Sequence, residues 1–186
     1  MAEPFTDPFA DLPADVRVRA ARVRLAVFDV DGVLTDGRVI LGDDGYEYKA
    51  FHTHDGHGLR LLQDAGVEVA IITGRTSIVV SRRAEELRIR HLVQGRRDKA
   101  PALEELLARL GVIAEETAFV GDDIVDVPAM RRVGLAVAVA NATAVTRAHA
   151  QYVTGAGGGA GAAREVCELI LSAQGRLEAA CAAWLD

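Results

Sequence analysis

Short apolar runs, each closed by a polar or glycine-containing cluster, recur along this chain and alternate with stretches of helical period. Residues 25–28, 67–72, 91–93, 117–120 and 135–139 read as strands. Their Val, Ile, Leu and Ala fill consecutive rather than alternate positions, as a strand buried on both faces requires. Helices are predicted between them: 59–65, stopped by Gly66; 77 to about 87, with Ser77 as cap; and a segment capped by Asp98, with Pro101 in its first turn and Gly111 at its end. A further helix opens at Asp126 and Pro128 and closes at Gly134. Strands separated in this way predict a parallel α/β sheet covered on both faces. Residues 1–20 read as a mobile lead-in with a helical turn near 15–21, 21–175 as one domain, and 176–186 as a helical tail after a helix over 164–173.

Two segments depart from the alternation. Residues 38–41 and 46–51 are short β-type runs around the turn cluster 42–45, a hairpin signal. Exposed hairpin strands rich in Val, Ile and Tyr seek a partner, so this hairpin either folds over the domain or pairs with another subunit. The glycine-rich stretch 154–161 reads as flexible.

Composition narrows the function classes. Half of the 186 residues are hydrophobic, enough for a sizeable core, and the net charge of −6 argues against a nucleic-acid surface. No apolar run approaches membrane-spanning length, and the acidic, proline-broken start lacks the basic head and apolar centre of a secretory signal; the expected location is the cytoplasm, with no membrane partner. Cys167 and Cys181 both fall in helical patterns and read as reduced thiols.

The candidate chemistry sits where strands end. Asp29 and Asp31 close the first apolar run, and residues i and i+2 of an extended chain point the same way. Two carboxylates about 4 Å apart repel by roughly 4 kcal/mol at an effective dielectric near 20, which calls for a cation or a shared proton. A solvated turn is the plainer reading of this stretch alone. Thr73 and Arg75, Lys99, and Asp122 with Asp123 occupy the same end of other strands, and in open α/β sheets ligands bind beyond the carboxyl ends. Several carboxylate oxygens in one place suit Mg²⁺, which commonly shares its shell with a substrate phosphate. An Asp can attack phosphorus, with the remaining work being positioning and charge neutralisation. The run His52, Thr53, His54, Asp55, Gly56, followed by His57, is expected to be a substrate-facing polar loop, with metal ligation and a plain surface loop as alternatives.

The set Asp29-Val-Asp31-Gly, Thr73 after a strand, Lys99 before a helix, and Gly121-Asp122-Asp123 with Asp126 resembles the four signatures of the haloacid dehalogenase superfamily in their usual order. The finer pattern, including DVDGVLTDG, DGHGLR, AIITGR and GDDIVDVPAM, is similar to 3-deoxy-D-manno-octulosonate 8-phosphate phosphatases, which make a precursor of the lipopolysaccharide inner core. The resemblance, over roughly residues 22–175, implies a three-layer α/β/α Rossmann-like fold with a central parallel sheet. The intervals from Asp29 to Thr73 and from Thr73 to Asp122 leave no room for a separate cap domain. The resemblance further implies Asp29 as nucleophile and Asp31 as general acid, then base. Mg²⁺ would be held by Asp29, Asp122 and the Asp31 carbonyl, with Asp123 and Asp126 behind them. Thr73 and Lys99 would bind the phosphoryl oxygens. Residues His52, Thr53, His54, Asp55 and Gly56, with Arg60, Arg75 and Arg83, fall where the family contacts the sugar acid; for Arg83 a solvated helix residue is nearly as good a reading. The family's tetramer uses the hairpin for assembly, so a homotetramer is implied. Ala160 stands where many members have arginine, and His54 where some do.

Two rivals remain open on sequence. One is a phosphatase for a nine-carbon nonulosonate 9-phosphate. The other, not an enzyme, is a phospho-Asp signalling receiver, which keeps its acidic pair and its phosphorylated Asp on different strands.

Overall fold

A computed structural model describes residues 6–43, 45–182 and 184. Six strands form one parallel sheet: β1 (Leu25–Phe28), β4 (Glu68–Ile72), β5 (His91–Val93), β6 (Thr117–Gly121), β7 (Leu135–Ala138) and β8 (Tyr152–Val153), in the order β5-β4-β1-β6-β7-β8. A separate antiparallel pair, β2 (Ile40–Leu41) and β3 (Glu47–Tyr48), is the expected hairpin. The helices are α1 (Ala14–Ala21), α2 (Thr53–Asp64), α3 (Ile78–Glu86), α4 (Lys99–Leu110), α5 (Val127–Met130), α6 (Ala144–Ala148), α7 (Ala162–Ala173) and α8 (Leu177–Ala182).

The strand order reverses direction at β1, and right-handed crossovers then place the helices on opposite faces of the sheet. Helices α1, α2 and α7 pack together on one side, and α4 packs with α5 on the other. Phe28, Phe119, Leu103, Leu106 and Leu169 are among the fully buried side chains that fill the layers between. Register then sets the site. Phe28 lies level with Ile71 of β4 and Val120 of β6. Asp29, Thr73 and Asp122 therefore emerge within about one residue of one another at the carboxyl edge of three adjacent strands, about 4.8 Å apart laterally.

Several boundaries differ from expectation. Residues 14–20 belong to the folded body rather than to a mobile lead-in: Val16 and Ala20 are buried, and Arg19 Nη1 donates to the Gly134 carbonyl at 2.7 Å. Helix α2 starts at Thr53, so the segment expected as a polar loop is the first turn and a half of a helix. Ser77 and Asp98 hold the N-cap positions of α3 and α4, but neither side chain accepts a capping hydrogen bond. Strand β8 and helix α6 are additions to the expected set, both short and bounded by polar residues. The helical tail is seen over α8, where Leu177 is buried; residues 1–5, 44, 183, 185 and 186 lie outside the described residues. Among the described residues, no helix is long and apolar enough to cross a membrane.

Candidate active site

The loop after β1 turns sharply at Gly32, whose φ of +99° is a left-handed conformation that suits glycine. Space demands glycine there as well, because a Cβ on Gly32 would lie 2.1 Å from Asp122 Oδ2. The turn thus lets the carboxylate after β6 come in against the loop that carries Asp29 and Asp31.

Lys99, the first residue of α4, is the hub of the acidic cluster. Its Nζ lies 2.7 Å from Asp29 Oδ1 and 2.5 Å from Asp126 Oδ1, and all three side chains are buried. The other oxygen of Asp126 accepts from the backbone N–H groups of Asp122 (3.0 Å) and Asp123 (3.2 Å), so Asp126 braces the loop that presents Asp122. Oxygens of Asp29, Asp122 and Asp126 all lie within 4.8 Å of one another. The one ammonium pairs with two of these three carboxylates, Asp29 and Asp126, and no ion pair neutralises Asp122 among the described residues. The imbalance shows in their protonation. Burial pushes the Asp29 carboxyl up to about 6 against the pull of Lys99, with Asp126 adding to the rise. Burial, then the charges of Asp126 and Asp29, push Asp122 up to about 7. Lys99 loses to burial less than it gains from Asp29 and Asp126, so its ammonium is held charged.

Asp29, Lys99 and Asp122 line an open cleft of about 510 Å³ together with Asp31, Thr73, Arg75, Arg97 and Asp123. Asp31 is partly exposed; its side chain pairs with Lys49 and lies 3.8 Å from Arg75 Nε. Thr73 is buried, its hydroxyl oxygen 3.4 Å from the Arg75 N–H.

The expected substrate set is only partly gathered. Arg75 lines the cleft, its Nη2 2.5 Å from Glu47 Oε2. His52, Asp55, Gly56 and Arg83 surround a separate, small pocket with Phe51, where the Arg83 guanidinium lies 5.7 Å from the Phe51 ring centre. Thr53 and His54 are exposed, and the His54 ring meets His52 edge-on. Two residues must be corrected. Asp55 is buried and accepts from the N–H groups of Arg164 (2.8 Å) and Gly161 (3.4 Å), so it caps α7 instead of facing substrate. Arg60 lies at the opposite, amino-terminal edge of the sheet beside Glu68 and Arg88, paired with Asp64 at 3.6 Å.

Sequence reasoning missed Glu47 and Lys49, which reach the cleft from the hairpin, and Arg97. A lysine within an exposed strand ordinarily guards a sheet edge, and nothing local distinguishes this one. The glycine-rich stretch is also not loose. Gly158 N–H donates to Asn141 Oδ1 (2.8 Å), Gly159 N–H to the Val33 carbonyl (3.0 Å), and the Glu165 carboxylate takes the N–H groups of Gly155 and Ala156, each at 2.9 Å. A Cβ on Gly158 would fall 1.7 Å from the Gly32 carbonyl oxygen, so glycine serves close approach here.

A parallel sheet with a carboxylate cluster and a buried lysine at its carboxyl edge defines a haloacid dehalogenase-like hydrolase, and the sequence pattern of that family matches residues 89–165. The 3-deoxy-D-manno-octulosonate 8-phosphate phosphatase of Yersinia pestis is 50% identical over 173 residues, covering 93% of this chain and 91% of that one. The corresponding enzyme of Escherichia coli K12 is 47% identical over 172 residues, covering 92% of each. The chain belongs to the 3-deoxy-D-manno-octulosonate 8-phosphate phosphatase family. The crystal structure of the Moraxella catarrhalis 3-deoxy-D-manno-octulosonate 8-phosphate phosphatase, in complex with a magnesium ion, a phosphate ion and a KDO molecule, superposes with a TM-score of 0.90 at 45% identity, covering 91% of this chain and 98% of that one.

Proposed function

We propose that this chain hydrolyses 3-deoxy-D-manno-octulosonate 8-phosphate to the free sugar acid and phosphate, the step that readies the sugar for lipopolysaccharide assembly. The observation that carries the reading is Asp29 at the end of β1, buried against Lys99 at 2.7 Å, with the uncompensated Asp122 beside it. Three carboxylates around one ammonium leave an excess negative charge that a hard divalent cation satisfies, and Mg²⁺ fits this oxygen-only donor set. Asp29, Asp122 and the backbone carbonyl of Asp31 would hold it, since the oxygens of Asp126 are already engaged by Lys99 and two N–H groups. Bound there, Mg²⁺ would supply charge neutralisation for the phosphoryl group.

In the mechanism Asp29 attacks phosphorus and becomes an aspartyl phosphate. Lys99 neutralises the nucleophile before attack and the phosphoryl oxygens after it, and the Thr73 hydroxyl is a further donor to them. Asp31 protonates the departing sugar oxygen, then takes the proton of the water that opens the phosphoenzyme. Arg75, with Arg97 nearby, is the natural fork for the sugar carboxylate. Asp123 and Asp126 shape the loop.

The hairpin supports a homotetramer: Val39, Ile40 and Leu41 are 47%, 50% and 73% exposed, an apolar face suited to a second copy. Light scattering showing a monomer would reject that assembly. The unpaired Cys167 and Cys181 support a reducing, cytoplasmic setting. The activity itself is tested by phosphate release from a panel of sugar-acid phosphates with and without magnesium. The octulosonate 8-phosphate should give the highest kcat/KM, only with magnesium; equal or better turnover of a nonulosonate 9-phosphate would reject the substrate assignment.

A further inference from the structure

The hairpin also delivers a buried ammonium to the cleft. Lys49 follows β3 directly, its side chain only 1% exposed, with Nζ against Asp31 Oδ1 and 3.1 Å from Glu47 Oε1. Arg75 closes a ring, 2.5 Å from Glu47 Oε2 and 3.8 Å from Asp31 Oδ2. Three segments meet here: the loop after β1, the loop after β4 and the hairpin. Burying a lysine and fixing its long chain costs desolvation and rotamer freedom, so its placement needs partners that hold it, and two carboxylates do.

The contact is asymmetric. Of the two oxygens of Asp31, Oδ1 is gripped by the ammonium, while Oδ2 faces the more distant Arg75 Nε. With Asp31 ionised, the two cations and two carboxylates of the ring balance; with the proton of the acid step on Oδ2 the ring carries one positive charge, which the incoming phosphate dianion offsets. On the reading in which Asp31 exchanges the proton, we propose that Lys49 is its positioning residue: by holding Oδ1 it fixes the rotation of the carboxyl group and assigns Oδ2 as the oxygen that exchanges the proton. In the first half-reaction an Asp29 oxygen bonds to phosphorus as the phosphorus–oxygen bond to the leaving group breaks, and the departing oxygen takes the proton from Asp31 Oδ2. In the second, water bonds to phosphorus, its proton goes to Oδ2, and the bond between phosphorus and Asp29 opens. The seating of the hairpin is thereby coupled to proton transfer as well as to assembly.

The test uses leaving groups that differ in their need for a proton. Phenyl phosphate and 4-nitrophenyl phosphate lack every sugar contact, yet the phenolate of the first is the far poorer leaving group. With saturating magnesium, Lys49→Met should lower kcat/KM for phenyl phosphate about tenfold more than for 4-nitrophenyl phosphate, a fraction of the about 10²–10⁴-fold that positioned proton transfer contributes. Lys49→Gln, which keeps a neutral donor and disturbs folding less, should fall between wild type and Lys49→Met, and serves alone if Lys49→Met does not fold. Asp31→Asn should show the same selectivity more strongly. Equal losses for both esters in the Lys49 variants, with selective loss in Asp31→Asn, would overturn the role of Lys49 and leave that of Asp31 standing. Equal losses in Asp31→Asn would overturn both.

Discussion

Replacing Asp122 by asparagine should stabilise the magnesium-free chain, although the residue belongs to the site. The Asp122 carboxyl is pushed up from 3.8 to about 7, first by burial and then by Asp126 and Asp29. A raised carboxyl favours the folded chain below its unfolded value, and that advantage is lost as pH rises through about 7. Near pH 8 the ionised group costs about 4 kcal/mol at about 1.4 kcal/mol per unit, or about 2–3 kcal/mol once its partial exposure is allowed for. Near pH 4.5 the folded group is already neutral and the difference shrinks to about 1 kcal/mol. Urea unfolding with a chelator present, at both pH values, measures this directly. Asp122→Asn should raise the midpoint strongly near pH 8 and little near pH 4.5, with an unchanged slope. Added magnesium should stabilise the wild type and much less the variant, because only a ligand that binds the folded state shifts the equilibrium. A variant that is neutral or less stable near pH 8, or equally stabilised at both, would refute the charge argument.

Other outcomes follow from the same geometry. Asp29→Asn should abolish phosphate release while leaving circular dichroism unchanged, since it relieves charge in a buried cluster instead of opening a cavity. Gly158→Ala should destabilise by about 1–3 kcal/mol and lower kcat, because the added carbon meets the Gly32 carbonyl at 1.7 Å and must displace the loop bearing Asp31; thermal unfolding and steady-state kinetics check both effects. Asp55→Ala should cost about 1–2 kcal/mol through the lost cap on α7 with KM little changed; a large rise in KM at unchanged stability would return Asp55 to the substrate.

The core of this fold was legible because its strands are buried on both faces and so read as unbroken apolar runs, as at residues 25–28 and 117–120. The carboxyl edge followed from the polar residues that end those runs. What escaped depended on partners remote in sequence. Strand β8 is two residues long and exists because Val137 and Ala138 offer it an edge. The start of α2 was hidden by His, Asp and Gly, residues that favour loops locally, yet Asp55 there is tied to α7 and Gly56 and Gly58 make room for Arg83 and Arg164. Glycines 158 and 159 looked like freedom and are contact points. Lys49 carried no local mark, since its burial arises only when the hairpin folds back over Asp31.

The central claim is that Asp29 carries the phosphoryl group during turnover. Rapid quenching of the magnesium-loaded enzyme with octulosonate 8-phosphate, followed by peptide mass spectrometry, reads it directly. The account predicts one added phosphoryl group on the peptide containing Asp29, formed and lost at rates matching turnover and absent in Asp29→Asn. Full turnover with no phosphorylated peptide, or with the group on another residue, would contradict it.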